Sequence, residues 1–254
     1  MGIGRGTEKN VYEVDPFEIL KEAGGWYQCA KDEQGERLSP LVGYTARDEL
    51  GRQFVGDEYV NFSKVEENPN LVYLLASLLA EKIPSSIQFD TICPVPEGGK
   101  MIGLMFALNY HDNRRYIYPD KEVKPPKKQG ERGVSVFTFN KYKIKAGDSV
   151  ILVEDVVNNF TSTTKLYNII AESGGRVVVV ASFFNRSDFF DNWFSTCVGA
   201  FIEEYLIDED PIPVISLIRK KIKQYRQDDP FVLDDVKRGN VVWDPKNNWE
   251  KLIP

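Results

Sequence analysis

The stretch Val150-Ile-Leu-Val-Glu-Asp-Val-Val-Asn-Asn-Phe-Thr-Ser-Thr-Thr164 determines the expected fold of this chain. Its first four residues are apolar and predict a buried strand, and its hydroxyl-rich end leads into a helical pattern over residues 162–172. Between the two, the adjacent carboxylates of Glu154 and Asp155 emerge at the tip of the predicted strand. Ligands of parallel α/β sheets bind at the carboxyl ends of the strands, so this junction is the first candidate site.

The pattern on either side of this stretch alternates between strands and helices. Val- and Ile-rich runs predict strands over residues 89–95, 116–118, 149–153, 177–184 and 213–217. Helical patterns cover residues 15–23, 70–82, 100–109, 162–172 and 219–225, the second of them capped by Asn70. Residues 35–62 mix turns with short β-like runs and indicate a cap outside the main sheet. The expected fold class is therefore α/β, with a central parallel sheet flanked by helices.

Composition excludes several kinds of protein. The 254 residues carry a net charge of −6, which argues against general nucleic-acid binding. Three scattered cysteines, Cys29, Cys93 and Cys197, argue against a disulfide framework or a zinc knuckle. The single histidine, His111, leaves little room for a histidine metal site or a Ser-His-Asp triad. No leader or membrane-spanning pattern is present, so we expect a soluble, cytoplasmic protein without a membrane partner.

The first candidate site has the chemistry of an anion site beside a pair of acids. Backbone N–H groups at the start of the helix and the hydroxyls of Thr161, Ser162 and Thr163 suit a phosphate group. Glu154 and Asp155 suit sugar hydroxyls or a divalent cation that is held mainly by phosphates. The alternative is structural, with Asn159 or Thr161 capping the helix and both acids simply exposed.

Two further segments have weaker signals of the same kind. Residues 89–103 place a Gly-Gly turn after a strand and before a helix, which allows close approach of an anion, although an ordinary strand–helix turn is an equal alternative. Residues 120–133 form a basic loop with Pro and Gly, for which a solvated loop without a role is the alternative. Its basic residues are Lys121, Lys124, Lys127, Lys128 and Arg132.

The strand–acid–loop stretch resembles the signature of type I phosphoribosyltransferases for binding phosphoribosyl diphosphate (PRPP). The resemblance implies that Glu154 and Asp155 contact the ribose hydroxyls. It also implies a loop that holds the 5′-phosphate, made of Asn158, Asn159, Phe160, Thr161 and Ser162. The loop differs from the usual pattern at Asn158, where a Thr is usual, and at Phe160, where a Gly is usual.

The other two segments resemble further parts of the same family. Residues 95–100 correspond to a loop that faces the leaving pyrophosphate, and the resemblance implies PRPP contacts for Glu97, Gly98, Gly99 and Lys100. Lys121-Glu-Val-Lys124 resembles the start of the mobile lid of orotate phosphoribosyltransferases. There, Lys124 would stabilise the departing pyrophosphate and Lys121 would support phosphate binding.

The resemblance extends from about residue 15 to residue 186, and residues 59–63 with the helix over 70–82 resemble the hood of the same subfamily. The resemblance implies an N-terminal segment and hood (1–65) and a PRPP-binding core (66–200), and the residues without a counterpart are expected to form a C-terminal extension (201–254) that completes the sheet or the hood. It also implies catalytic roles for Lys124, Lys121 and Asp155, Mg²⁺ held mainly by PRPP without direct protein ligands, and a homodimer.

The expected activity is transfer of 5-phosphoribosyl from PRPP to a nucleobase, with orotate as the first choice. Two alternatives remain open at this point. A purine phosphoribosyltransferase could use Phe231, Trp243 or Trp249 near the C-terminus to stack its base. A PRPP-binding regulatory protein without turnover would fit the departures at Asn158 and Phe160.

Overall fold

The computed structural model describes residues 14–124, 134–188, 194–195, 201–207 and 210–253. Helices form where apolar residues recur at helical spacing, and strands form where β-branched residues run together. The strands are β1 (Trp26–Gln28), β2 (Leu41–Arg47), β3 (Gln53–Gly56), β4 (Glu58–Val60), β5 (Thr91–Pro94), β6 (Arg115–Tyr116), β7 (Asp120–Lys124), β8 (Val134–Thr138), β9 (Ser149–Val157), β10 (Arg176–Asn185), β11 (Phe194–Ser195), β12 (Phe201–Ile207), β13 (Asp210–Arg219) and β14 (Val241–Val242). The helices are α1 (Pro16–Glu22), α2 (Ser63–Glu66), α3 (Pro69–Lys82), α4 (Gly99–Ala107), α5 (Thr161–Glu172) and α6 (Leu233–Lys237), with a 3-10 turn at Trp249–Lys251.

A seven-stranded sheet in the order β11-β12-β13-β10-β9-β5-β6 forms the centre of the molecule. The five strands β13, β10, β9, β5 and β6 run parallel to one another. Beyond β13, strand β12 pairs antiparallel with β13, and β11 pairs antiparallel with β12. Helices α3 and α4 pack on one face and α5 on the other, each over its own buried apolar cluster. The prediction of an α/β fold with a central parallel sheet flanked by helices is confirmed.

Side chains of β9 alternate between these two apolar clusters. Ile151 and Val153 belong to the cluster under α3 and α4, whereas Val150 and Leu152 belong to the cluster under α5. This alternation follows from the two-residue period of a strand. It places the next two residues, Glu154 and Asp155, on opposite faces of the sheet.

Short strands from both ends of the chain make a cap beside the central sheet, which we call the hood. Strands β1 and β4 pair antiparallel, and β14 adds in parallel to β2, which pairs in turn with β3. Arg37 joins the two contributions, since its buried guanidinium contacts Asp57 at 2.6 Å and Asp235 at 3.0 Å. The C-terminal segment, by which we mean residues 220–253, is therefore part of the hood structure.

The predicted helix over residues 219–225 is wrong. Strand β13 continues to Arg219, and the following segment stays extended because its polar groups bond to the hood. Tyr225 exchanges two backbone hydrogen bonds with Val55, at 2.8 and 3.0 Å, and Lys220 forms an ion pair with Glu58 at 2.6 Å. These long-range contacts override the local helical pattern.

Three other details differ from the expectations. Glu154 and Asp155 lie inside β9 and not beyond its tip, because β9 stays paired with β10 as far as Val157. Residues Asp120–Lys124 form strand β7, paired with β8, where the sequence indicated a loop. The cap of α3 is Asn68, two residues before the predicted Asn70.

Other expectations about the chain concern membranes and cysteines. Within the described ranges, none of the helices has the length and apolar character needed to cross a bilayer. Cys29 and Cys93 are buried free thiols, and Cys197 lies outside the described residues.

Candidate functional site

The two acids of β9 have different surroundings because they face opposite sides of the sheet. Thr163 of α5 donates a hydrogen bond from its hydroxyl to Glu154 at 2.6 Å. Asp155 lies against Gly98, and a Cβ at Gly98 would collide with its carboxylate. A Cβ at the neighbouring Gly99 would collide with the carbonyl oxygen of Val153. The Gly-Gly turn thus fits closely against the end of β9, an approach that only glycine permits here.

Burial acts on the pKa of both acids. It raises the pKa of Glu154 to about 8, and the nearby charge of Asp155 adds to this rise, whereas Thr163 and Lys121 oppose it. Burial also raises the pKa of Asp155, against the opposing effects of Lys246 and Arg186. In the free protein, Glu154 therefore holds a proton at neutral pH. A bound partner that donates hydrogen bonds or brings positive charge would favour the ionised form.

The predicted phosphate loop leads from β9 into α5. Phe160 has φ of 54°, the left-handed conformation that glycine adopts most readily, and its buried ring stacks on Tyr205 of β12 with centroids 4.0 Å apart. The side chain of Asn159 accepts a hydrogen bond from the backbone N–H of Thr161 at 3.3 Å. The cap of α5 is Phe160, so the alternative with Asn159 or Thr161 as cap and both acids exposed is wrong. Gln224 of the C-terminal segment donates a hydrogen bond to Asn158 at 3.1 Å.

The predicted pyrophosphate loop lies at the end of β5, next to β9. The peptide bond between Pro96 and Glu97 is cis, and Gly98 and Gly99 follow at the start of α4. Lys100 pairs with the exposed Glu97 at 2.6 Å and lies 5.1 Å from the ring centroid of Tyr118. The loop and the acid pair are therefore adjacent in space through the contact between Gly98 and Asp155.

The predicted lid begins as a hairpin of β7 and β8. Lys121 is close enough to Glu154 to oppose the rise of its pKa. Lys124 is exposed at the far end of β7, opposite Val134. Lys127, Lys128 and Arg132 lie outside the described residues.

A cavity of about 230 Å³ joins the acids, the phosphate loop and the hood. Of the predicted residues, it is lined by Glu154, Asp155, Asn158, Asn159, Phe160, Thr161 and Ser162. Glu97, Gly98, Gly99, Lys100, Lys121 and Lys124 do not line this cavity. The aromatic residues Phe231, Trp243 and Trp249 do not line it either. Trp249 instead packs on Tyr59, and Phe231 stacks on Tyr225.

Several residues that line the cavity were not among the predicted site residues, and three of them have a phenol group or a positive charge. Tyr59 comes from β4, Arg186 follows β10, and Lys246 comes from the C-terminal segment. The signal for Arg186 was its place after a β-branched parallel strand, the same position that marked the two acids. Lys246 lies in a segment without periodicity, so no local signal identified it.

Arg186 is a buried cation with free hydrogen-bonding capacity. Arg186 is 8% exposed. Its guanidinium lies 5.0 Å from the ring centroid of Tyr44 and 5.6 Å from that of Tyr59. Its Nε and Nη1 atoms have no hydrogen-bond partner among the described residues. Burial lowers its pKa, and the nearby Asp155 acts in the opposite direction. Buried donors of this kind are normally paired, so the cavity is suited to a ligand with acceptor oxygens.

The acids at the site are also the candidates for contact with a cation. Carboxylate oxygens are suitable ligands for Mg²⁺, which usually keeps substrate phosphates and water as its other ligands. Among the residues that the structure describes, no group of three or more His, Cys, Asp or Glu side chains could hold a metal ion.

Comparison with known proteins relates part of the chain to one kind of enzyme. No protein-family model matches the chain. Curated orotate phosphoribosyltransferases from Sulfurimonas denitrificans and Campylobacter lari are 31% and 32% identical to it over 130 residues. These matches cover 50% of this chain and 58% of each relative, so the chain spans little more than half the length of the curated relatives it matches. The resemblance expected from the motifs is confirmed over that half.

Two solved structures align with most of the chain at low sequence identity. An orotate phosphoribosyltransferase from Aeropyrum pernix is 17% identical, with 80% of this chain and 92% of that chain covered and a TM-score of 0.49. An adenine phosphoribosyltransferase from Rhodothermus marinus is 15% identical, with 80% and 98% covered and a TM-score of 0.46.

Proposed function

We propose that this protein is a phosphoribosyltransferase that transfers the 5-phosphoribosyl group of PRPP to a nucleobase, with orotate as the acceptor. The observation that carries this proposal is the meeting of Glu154, Asp155 and the loop from Asn158 to Ser162 in one cavity, beside a glycine turn that fits against Asp155. An acid pair for ribose hydroxyls next to an anion loop for a phosphate suits a phosphorylated sugar. The curated relatives that align with this chain over 130 residues are named orotate phosphoribosyltransferases.

The reaction replaces one bond at C1 of the ribose with another. A ring nitrogen of the base forms a bond to C1 and loses its proton, which passes to the pyrophosphate or to water. The bond from C1 to pyrophosphate breaks with its electron pair on the pyrophosphate oxygen, and positive charge develops on the ribose in between. Asp155 and Glu154 hold the ribose hydroxyls, and the phosphate loop anchors the 5′-phosphate. Lys100, Lys121 and Lys124 would stabilise the negative charge on the departing pyrophosphate.

Mg²⁺ would reach the site with PRPP. The carboxylates of Asp155 and Glu154 could approach it, while the phosphates of the substrate supply most of its ligands. When bound, the ion neutralises charge on the leaving pyrophosphate. The lid that begins at β7 would exclude water, so that the base and not water attacks C1.

The hood side of the cavity supports orotate as the acceptor. Arg186 offers unpaired donors there, and Tyr59 offers an aromatic face next to it. Orotate has two ring carbonyl groups and a carboxylate, all of which accept hydrogen bonds from a guanidinium. The purine alternative requires Phe231, Trp243 or Trp249 to stack the base, and none of these residues lines the cavity.

One assay tests the proposal and separates the alternatives. The protein is incubated with Mg²⁺-PRPP and orotate, and then with adenine, guanine and hypoxanthine, while pyrophosphate and nucleotide are measured. We expect pyrophosphate and orotidine 5′-monophosphate in equal amounts with orotate. Formation of a purine nucleotide would favour a purine phosphoribosyltransferase. PRPP binding without turnover of any base would favour a PRPP-binding regulatory protein.

We also propose a cytoplasmic homodimer, from the same resemblance. Sedimentation of the purified full chain measures its mass in solution. A single species of about 29 kDa, the mass of one chain, would contradict the dimer.

A further inference from the structure

Lys246 brings a positive charge into the cavity from a part of the chain outside the PRPP motifs. It lines the cavity together with Thr45 and Tyr59 of the hood. Its side chain is exposed, and no hydrogen bond or ion pair joins it to another described residue. A lysine that lines a cavity together with Glu154 and Asp155 and pairs with neither has its charge available for a ligand.

The turn that carries Lys246 is held in place on both sides. Asp244 accepts a hydrogen bond at 2.8 Å from the side chain of Asn247, and its carbonyl oxygen accepts one at 3.1 Å from the backbone N–H of Asn248. Before the turn, the carbonyl oxygen of Trp243 accepts a hydrogen bond from Gln53 at 3.2 Å. After it, the indole of Trp249 donates a hydrogen bond to the carbonyl oxygen of Gly24 at 3.1 Å. The backbone at Lys246 is therefore fixed to the hood, and only its side chain is free to adjust.

Lys246 lines the cavity with hood residues and acts electrostatically on the carboxylates of Asp155 and Glu66. It opposes the burial that raises the pKa of Asp155, and it also opposes the rise in the pKa of Glu66, which burial and Asp155 produce. Arg186 acts on Asp155 from the end of β10. Two cations of separate origin thus lie near the same carboxylate, one buried and one exposed.

These positions leave one part of the substrates for Lys246. The 5′-phosphate belongs to the loop at the start of α5, and the ribose hydroxyls belong to Glu154 and Asp155. The pyrophosphate belongs to Lys100, Lys121 and Lys124, which lie outside the lining of this cavity. The hood side beyond the ribose is where a base attached to C1 would lie. A neutral base would gain little from a second cation there, whereas an anionic base would gain a charge-assisted hydrogen bond.

We propose that Lys246 is a specificity residue that binds an anionic substituent of the acceptor base, the C6 carboxylate in the case of a pyrimidine. This inference rests on the proposed function, since it requires that the base binds under the hood. It gives the C-terminal segment a direct part in the choice of substrate. The segment would then select an acidic base over its neutral counterpart.

The test measures binding of two nucleotides that differ only in that carboxylate. Titration calorimetry on the full chain gives the Kd of orotidine 5′-monophosphate and of uridine 5′-monophosphate for the wild type and for Lys246→Met. We expect the wild type to prefer the acidic nucleotide and the variant to lose about tenfold of that preference, a typical value for one hydrogen bond to a charged group. The Kd of the neutral nucleotide should change less than about twofold, because its phosphate and ribose contacts remain.

Two further variants complete the experiment. Lys246→Arg should retain the preference, because it keeps the charge. Lys237→Met removes an exposed lysine of α6 on the same segment, away from the cavity, and should also retain the preference.

Each remaining outcome has a distinct meaning. An unchanged preference in Lys246→Met, or an equal loss of both nucleotides, overturns the role of Lys246 while phosphoribosyl transfer by the wild type still stands. A wild type that binds neither nucleotide and forms no product overturns the proposed function together with this inference.

Discussion

The ring of Phe160 stacks on the ring of Tyr205, with centroids 4.0 Å apart and an angle of 13° between the ring planes. Phe160 lies in the phosphate loop with a left-handed backbone, and Tyr205 belongs to β12, which follows the core motifs in the chain. The stacking contact holds a backbone conformation that glycine would adopt without a side chain. A distant strand thus shapes the loop before any anion binds.

Removing this contact should weaken PRPP binding. In Tyr205→Ala we expect the KM for PRPP to rise about two- to tenfold, the range that corresponds to an aromatic pair, while kcat falls less. Tyr205→Phe should behave like the wild type, because it keeps the ring. Steady-state kinetics at saturating base measures both constants, and an unchanged KM in Tyr205→Ala would show that the loop holds its shape without the stack.

The raised pKa of Glu154 makes the folded state less stable as pH rises. Glu154 keeps its proton up to about pH 8 in the folded chain, whereas an unfolded glutamate loses it near pH 4. Between these values the unfolded state binds fewer protons, so the free energy of unfolding falls as pH rises.

Replacing Glu154 with Gln should remove that pH dependence. We expect Glu154→Gln to melt about 2–4 °C above the wild type at pH 8, as for 1 kcal/mol in a chain of this size, and close to it at pH 5. Thermal melts of both proteins across this range test the difference. An equal Tm difference at both pH values would count against a protonated Glu154 in the folded chain.

Gly98 should not tolerate a side chain. The Cβ of Gly98→Ala would meet the carboxylate of Asp155 and displace it from the cavity. We expect kcat/KM for PRPP to fall about 10²-fold, a loss typical of a misplaced group in an active site. Met101→Ala, on the exposed side of the same helix, is the matched control and should keep its activity. Activity within twofold of the wild type in Gly98→Ala would show that the site does not require a glycine at this position.

Lys124 should matter for chemistry more than for binding. If it stabilises the departing pyrophosphate, Lys124→Ala should lower kcat by about 10²-fold, as expected for a group that acts on transition-state charge, and should change the Kd for PRPP only slightly. Lys143→Ala removes an exposed lysine that follows the same hairpin and serves as the control. Full activity in Lys124→Ala would remove the lid lysine from the mechanism.

Arg186 should act on the base and not on PRPP. In Arg186→Met we expect the KM for orotate to rise about 10- to 100-fold, as for the loss of hydrogen bonds to a charged group, with little change in PRPP affinity. Arg176→Met, at the exposed opposite end of β10, is the control. If both substrates lose affinity equally, Arg186 has a structural role instead.

Sequence by itself determined the core of this protein. The apolar run before Glu154, the helix after Ser162 and the strand with its Gly-Gly turn carry local periodicity, and local periodicity specifies strands and helices wherever one face is buried. The two acids and the Gly-Gly turn could be placed together because neighbouring parallel strands end at one edge of a sheet.

Only the tertiary structure decided what surrounds that core. Residues after Arg219 carry a helical pattern but stay extended, because Tyr225 and Lys220 bond to hood residues far away in the chain. Arg186 faces a cavity with unpaired donors, and Lys246 reaches it through β14, which pairs with β2 about two hundred residues earlier. Contacts between such distant segments leave no periodic trace in either one, so they become visible only when the chain is folded.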